Sequence, residues 1–181
     1  MRKLLLLLLS VMLLCGCSSD DTYTKYSRFK ASFSYQMVMT TDPLHTALTG
    51  PGHFCTIHLT PQKQLVFSSL TQSQTVNVAA SAHYQTYVCL SGFVVGMANQ
   101  PEIGMDGLGV VCFDLACSNC YRDDAINRNI TLREGGLAYC QRCKRTYNLN
   151  SQGIVHSGPD GRPLERYHIL YDGANNMSIS N

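Results

Sequence analysis

Apolar and polar residues alternate with a period of two along much of this chain. Phe29, Ala31, Phe33 and Tyr35 alternate with Lys30, Ser32 and Ser34, the pattern of a strand buried on one face. Phe54 to Leu59 and Gln64 to Phe67 read as further strands, with Val76–Val78 as a short third. Tyr87–Leu90 and Phe93–Val95 flank Ser91-Gly92 and predict a hairpin. Leu108 to Ala116 is an apolar run that reads as a strand. Ile130–Leu132 and Leu137–Tyr139 enclose the turn Glu134-Gly135-Gly136, a second predicted hairpin. Gly153–Val155, Tyr167–Tyr171 and Met177–Ile179 are the closing strands. Asp42 to Thr49 is a short helical turn with Asp42 as its cap and Pro43 at its first position, broken by Gly50-Pro51-Gly52. Pro101 to Gly109 is a glycine-rich loop, and Tyr121 to Asn129 is a polar surface excursion. No long stretch carries helical periodicity, so the pattern predicts an all-β domain.

The first seventeen residues follow a different rule. Arg2 and Lys3 precede the apolar run Leu4 to Leu14, which is too short to favour a spanning helix. The run ends in Leu14-Cys15-Gly16-Cys17, similar to a bacterial lipobox. On this reading residues 1–16 are a signal peptide, and Cys17 receives acyl chains that hold the protein to a membrane. Ser18-Ser19-Asp20-Asp21 opens a polar tether over residues 17–27, and residues 28–181 form one domain. The expected location is the bacterial cell envelope, at the outer membrane or cell surface.

Composition narrows the function. Charged residues are 14% of the chain, against ~25% in an average soluble protein. The formal charge of +2 includes Arg2 and Lys3, so removing the leader leaves zero. A neutral chain has no general attraction to nucleic acid, and none is expected as a partner.

Cysteine carries the chemistry. Cys117-Ser-Asn-Cys120 and Cys140-Gln-Arg-Cys143 are two Cys-x-x-Cys pairs separated by nineteen residues. Each pair bends the backbone into a knuckle that aims two sulfurs at one point, and four such sulfurs suit a tetrahedral ion of the zinc type. The competing reading is disulfide cross-linking, which an oxidising envelope permits. A disulfide within Cys-x-x-Cys closes a very small loop and is more often redox-active than structural. Arg142, Lys144 and Arg145 could offset the −2 charge of four thiolates around a divalent ion. Cys55, Cys89 and Cys112 each lie in apolar runs and read as small buried hydrophobes, with a Cys55–Cys89 disulfide as the alternative. His156 follows the second knuckle and reads as a loop residue rather than a ligand.

Cys140-Gln-Arg-Cys143-Lys-Arg-Thr-Tyr147-Asn, with Gly153-Ile-Val, Ser157-Gly-Pro159 and Arg162-Pro-Leu164-Glu-Arg-Tyr167, resembles the second half of a Rieske iron–sulfur domain. The resemblance spans residues 110–170. Cys120 and Cys143 stand where that family has its two histidine ligands, and Lys144 stands where it has glycine. The resemblance implies an antiparallel β-sandwich or barrel with a rubredoxin-like, zinc-ribbon-like metal subdomain over about 112–158. It also implies that Ser157-Gly158-Pro159 packs beside the knuckles, above a core of Phe113, Leu115, Tyr147 and Leu149.

Two function classes follow. One is a lipid-anchored binding or scaffolding module holding one structural zinc on Cys117, Cys120, Cys140 and Cys143. The other is an electron-transfer protein or oxidoreductase component with iron or a two-iron, two-sulfur cluster. A dithiol–disulfide redox protein is a third reading. No Ser-His-Asp grouping, phosphate loop or carboxylate pair is legible, so no catalytic residue is assigned and hydrolysis is not expected. The protein or redox partner is left open.

Overall fold

The computed structural model describes residues 25–77, 87–100 and 109–181. The targeting segment, Cys17, the tether to residue 24, Val78 and the Pro101–Leu108 part of the loop lie outside the described residues. The elements are β1 (Ser32–Tyr35), a 3-10 turn (Val38–Thr40), α1 (Asp42–Thr49), β2 (Phe54–Leu59), β3 (Gln64–Ser68), β4 (Ser73–Asn77), β5 (Tyr87–Val88), β6 (Phe93–Met97) and β7 (Val110–Asp114). They continue with α2 (Ser118–Asp124), β8 (Thr131–Arg133), β9 (Leu137–Tyr139), β10 (Thr146–Asn148), β11 (Ile154–Ser157), β12 (Arg166–Tyr171) and β13 (Met177–Ser180). The protein is all-β, as the alternation predicts.

Among the described residues, nine strands form one curled antiparallel sheet in the order β4-β3-β2-β6-β7-β12-β13-β1-β5, and four form a second in the order β11-β10-β9-β8. Alternation sorts the central strands into two cores. Cys55, Ile57, Phe93, Val95 and Cys112 face the inside of the curl, where they meet Phe33, Phe67, Tyr167 and the Leu44–Leu48 face of α1. Phe54, Val94, Val111, Phe113 and Leu115 face the other way, against the small sheet and the knuckle cysteines. The central strands are therefore apolar on both faces because each face has its own partner layer.

Three local expectations differ. Phe93–Met97 does not pair with Tyr87–Val88: β6 pairs with β2 through Cys55↔Val95 and with β7 through Val95↔Cys112. A strand buried on both faces belongs in the middle of a sheet, so both its edges are taken by long apolar neighbours. The two-residue β5 pairs instead with Ser32 and Phe33 of β1 at the far edge. Asp42 lies within α1 rather than capping it: Thr41 holds the cap position, without a side-chain cap bond, and Pro43 comes one residue later than expected. Finally, Tyr121 to Asn129 is not wholly irregular, since Ser118–Asp124 is helical and only the remainder is an open excursion.

The chain packs onto the domain from before residue 28. Ser27 N–H donates to Arg166 O at 2.7 Å, and the Tyr26 ring stacks on His168 at 3.5 Å.

Candidate metal centre

The first knuckle hangs from the end of β7. Asp114 is fully buried there, and its carboxylate accepts from Ala116 N–H at 2.7 Å, Leu90 N–H at 3.1 Å and the Tyr167 hydroxyl at 2.9 Å. Burial raises the Asp114 pKa to about 6, against the opposing pull of these hydrogen bonds. Cys117 N–H donates to Arg128 O at 2.7 Å, and Cys117 O accepts from Tyr121 N–H at 3.0 Å. Cys117 thus caps α2, and Cys120 lies in its first turn. This knuckle is the start of a helix, not the tip of a hairpin.

The second knuckle joins β9 to β10. Lys144 N–H donates to Cys140 O, and Cys140 N–H to Arg145 O, both at 2.9 Å. Lys144 takes a left-handed conformation, φ 61°. That is the backbone region glycine enters without steric cost.

All four sulfurs converge. Cys117, Cys120, Cys140 and Cys143 offer sulfur atoms that lie within 4.8 Å of one another, and this cluster could hold a metal ion. Cys117 Sγ lies 3.6 Å from Cys143 Sγ, and Cys120 Sγ lies 3.7 Å from Cys140 Sγ. Cys117, Cys120 and Cys140 are buried, whereas Cys143 is half-buried. Burial raises the Cys117 and Cys120 thiols. At Cys143 burial also raises the pKa, but hydrogen bonds from Arg145, Cys117 and Cys140 outweigh it and bring the thiol to about 7.

A shell of polar contacts fixes the sulfurs. Tyr147 is fully buried, its hydroxyl 3.1 Å from Cys117 Sγ, and it accepts from Asn119 Nδ2 at 2.9 Å. Asn119, inside the first Cys-x-x-Cys, also donates to Arg162 O at 2.8 Å and accepts from Arg162 N–H at 2.9 Å. Arg145 donates to Pro159 O at 3.1 Å and to Asp160 O at 2.8 Å. The proline loop therefore lies against both knuckles. Gly158 packs so tightly that a Cβ would come 2.7 Å from Lys144 O.

Phe113, Leu115, Tyr147 and Leu149 are buried in the same core as the cysteines, as expected. The basic residues are less uniform than sequence alone suggests, because Asp124 of α2 pairs with Arg142 at 2.8 Å. His156 lies exposed on β11, outside the four-ligand group. Cys55, Cys89 and Cys112 stand as free thiols, with Cys55 and Cys89 pushed up to about 12 by burial. The alternative of a Cys55–Cys89 disulfide is not formed in this structure. Sequence reading missed Asn119, whose role depends on a loop more than forty residues away in the chain. It also passed over Asp114; its signal was a lone acid closing the apolar run Val110–Phe113. A cleft of about 510 Å³ between α1, the β3–β4 turn and the β8–β9 turn has none of these cysteines in its lining.

No family model matches the chain, nor does any curated protein or solved structure.

Proposed function

We propose that this is a lipid-anchored envelope protein whose Rieske-like domain holds one structural metal ion, of the zinc type, on Cys117, Cys120, Cys140 and Cys143. The observation that carries the reading is the compactness of the four sulfurs, all within 4.8 Å. A regular tetrahedron with metal–sulfur bonds near ~2.3 Å has edges of about 3.8 Å. The cross-knuckle separations of 3.6 and 3.7 Å lie close to that edge. A two-iron cluster puts its two ligand pairs on separate metals, and so asks for pairs held further apart. Four thiolates close the shell of a single ion, leaving no position for a water to be activated.

The role that fits a closed shell is mechanical. The ion would tie α2 to the β9–β10 turn, and with them the proline loop that Asn119 and Arg145 hold. Two further points support kinship with the Rieske architecture: the Gly158-Pro159 loop beside the second knuckle, and the left-handed backbone at Lys144 in place of that family's glycine. The domain then serves as a rigid binding or scaffolding module at the membrane.

Metal analysis of protein purified without added metal, together with a visible spectrum, tests the proposal. About one zinc per chain and no visible absorption is the expected result. One iron with a red colour would keep the four-sulfur site but make the protein an electron carrier. Two irons with acid-labile sulfide would overturn the single-ion reading. No metal, with thiols unreactive until reduced, would replace it by disulfides.

A further inference from the structure

The segment that enters the domain from the lipid-bearing side does not leave it as a free stalk. Tyr26 stacks on His168 of β12, with the Arg166 guanidinium 5.6 Å from the centre of its ring. Phe29 meets Tyr121 of α2 edge-on at 5.2 Å, and the Arg122 guanidinium lies 5.7 Å from the Phe29 ring centre. Residues 25–30 thus form a strap across β12 and across the helix that carries Cys120. Lys25, Arg28 and Lys30 are exposed on this strap, and it holds no acid. Leu170, two residues beyond His168 and so on the same face of β12, is 74% exposed.

Without Arg2 and Lys3 the charge is zero only in sum. Between Cys117 and Arg166 there are eight Lys and Arg against five Asp and Glu, and the strap adds three cations. From Ala31 to Ala116 the balance reverses, with one Lys against four acids. The strap and the Cys117–Arg166 segment it crosses are therefore each net basic.

We infer that the strap face, with Lys25, Arg28, Lys30 and Leu170, is a docking surface for the anionic headgroups of the membrane that holds the anchor. The inference rests on lipidation at Cys17. Seven residues separate Cys17 from Lys25, and the eight residue steps reach at most about 28 Å when fully extended. A domain of this size has a radius of gyration of about 15 Å and is roughly 40 Å across. A tether shorter than the molecule keeps the strap side towards the bilayer. At that range three exposed cations act on lipid phosphates within a Debye length of about 8 Å. An exposed leucine beside them adds an apolar contact with the headgroup boundary. A basic patch adds electrostatic attraction to the hold of the acyl chains on Cys17.

The chain has no tryptophan, so one can be placed as a reporter. Leu170→Trp and, as a control, Leu70→Trp in the β3–β4 turn are made in the processed, lipid-bearing protein. Each is reconstituted into phosphatidylcholine vesicles with and without one-third phosphatidylglycerol, both containing brominated acyl chains. The expected result is several-fold stronger quenching at position 170 in the anionic vesicles, reversed by high salt. It should be abolished in Lys25→Glu/Arg28→Glu/Lys30→Glu, while position 70 is unaffected. Equal, weak quenching at 170 in both vesicle types would overturn the docking face, as would equal quenching at 70. An emission shift with a soluble polyanion such as heparin but none with vesicles would overturn it in favour of another partner. Mass spectrometry of Cys17 reports the anchor separately. If no lipid is found, the anchor reading fails, and the unlipidated protein added to the same vesicles still decides the docking face by the same readout.

Discussion

Tyr147 and Asp114 both hold the knuckles through buried hydrogen bonds, one through a hydroxyl and the other through a carboxyl group that titrates. Tyr147→Phe removes the hydroxyl beside Cys117 Sγ and leaves one Asn119 N–H contact unmade. The expected cost is about 1–3 kcal/mol, read as a lower denaturation midpoint, because a buried donor loses its acceptor without replacement. Asp114 makes stability depend on pH. Burial raises its pKa from the ordinary 3.8 to about 6, so the native state binds the proton more tightly than the unfolded chain. Its stabilising contribution is fully present below the unfolded value and is lost as pH rises through about 6. The expected loss is about 2 kcal/mol between pH 4 and pH 7, relative to Asp114→Asn, whose side chain does not ionise. The difference between the two proteins isolates this group, since both share the same thiolates. Parallel pH–stability curves would show that Asp114 is not responsible.

At the scale of elements, the two knuckles differ in what makes them turn. The first is held by the backbone bonds at the start of α2, the second by the tight β9–β10 connection. Over both lies the proline loop, and glycine governs its fit. Gly158 and Gly135 both have positive φ, 101° and 75°. A Cβ at Gly158 would strike the Lys144 carbonyl, whereas at Gly135 nothing lies within 4 Å. Gly135→Ala should therefore cost only the left-handed strain, about 1 kcal/mol. Gly158→Ala should cost clearly more, because the loop must also move off the second knuckle. Comparing the two melting curves checks the claim; equal shifts would mean that the loop yields freely.

For the whole molecule, the presence of two cores predicts that metal and fold are separable. The core inside the curled sheet contains none of the four knuckle cysteines, while the second core contains Cys117, Cys120 and Cys140. Chelation should speed amide exchange across α2 and β8–β11, while β1–β3, β6 and β13 keep most of their protection. Uniform loss of protection would show that the two layers fold as one unit. If α2 loosens, the Phe29 contact with Tyr121 loosens with it, so the strap should also exchange faster in the metal-free protein.

Local chemistry made much of this legible in the sequence. Alternation marked Phe33 and Tyr35, Phe54–Leu59 and Gln64–Phe67 as strands because a strand turns successive side chains to opposite faces, whatever its neighbours are. Glu134-Gly135-Gly136 marked its hairpin because left-handed backbone wants glycine. The two Cys-x-x-Cys pairs marked the four sulfurs because each short spacing can aim two sulfurs at one point. The partners of β6, the strand-edge position of Tyr87–Val88 and the two-sided burial of Val94 and Val95 were decided only by tertiary structure. Strand pairing is a competition among all edges of the sheet, and no single strand encodes its outcome. The same holds for Asn119 on Arg162, Arg145 on Pro159, Asp124 on Arg142 and the strap on α2. Each joins segments at least fourteen residues apart in the chain. Such contacts exist only once the layers have brought those segments together.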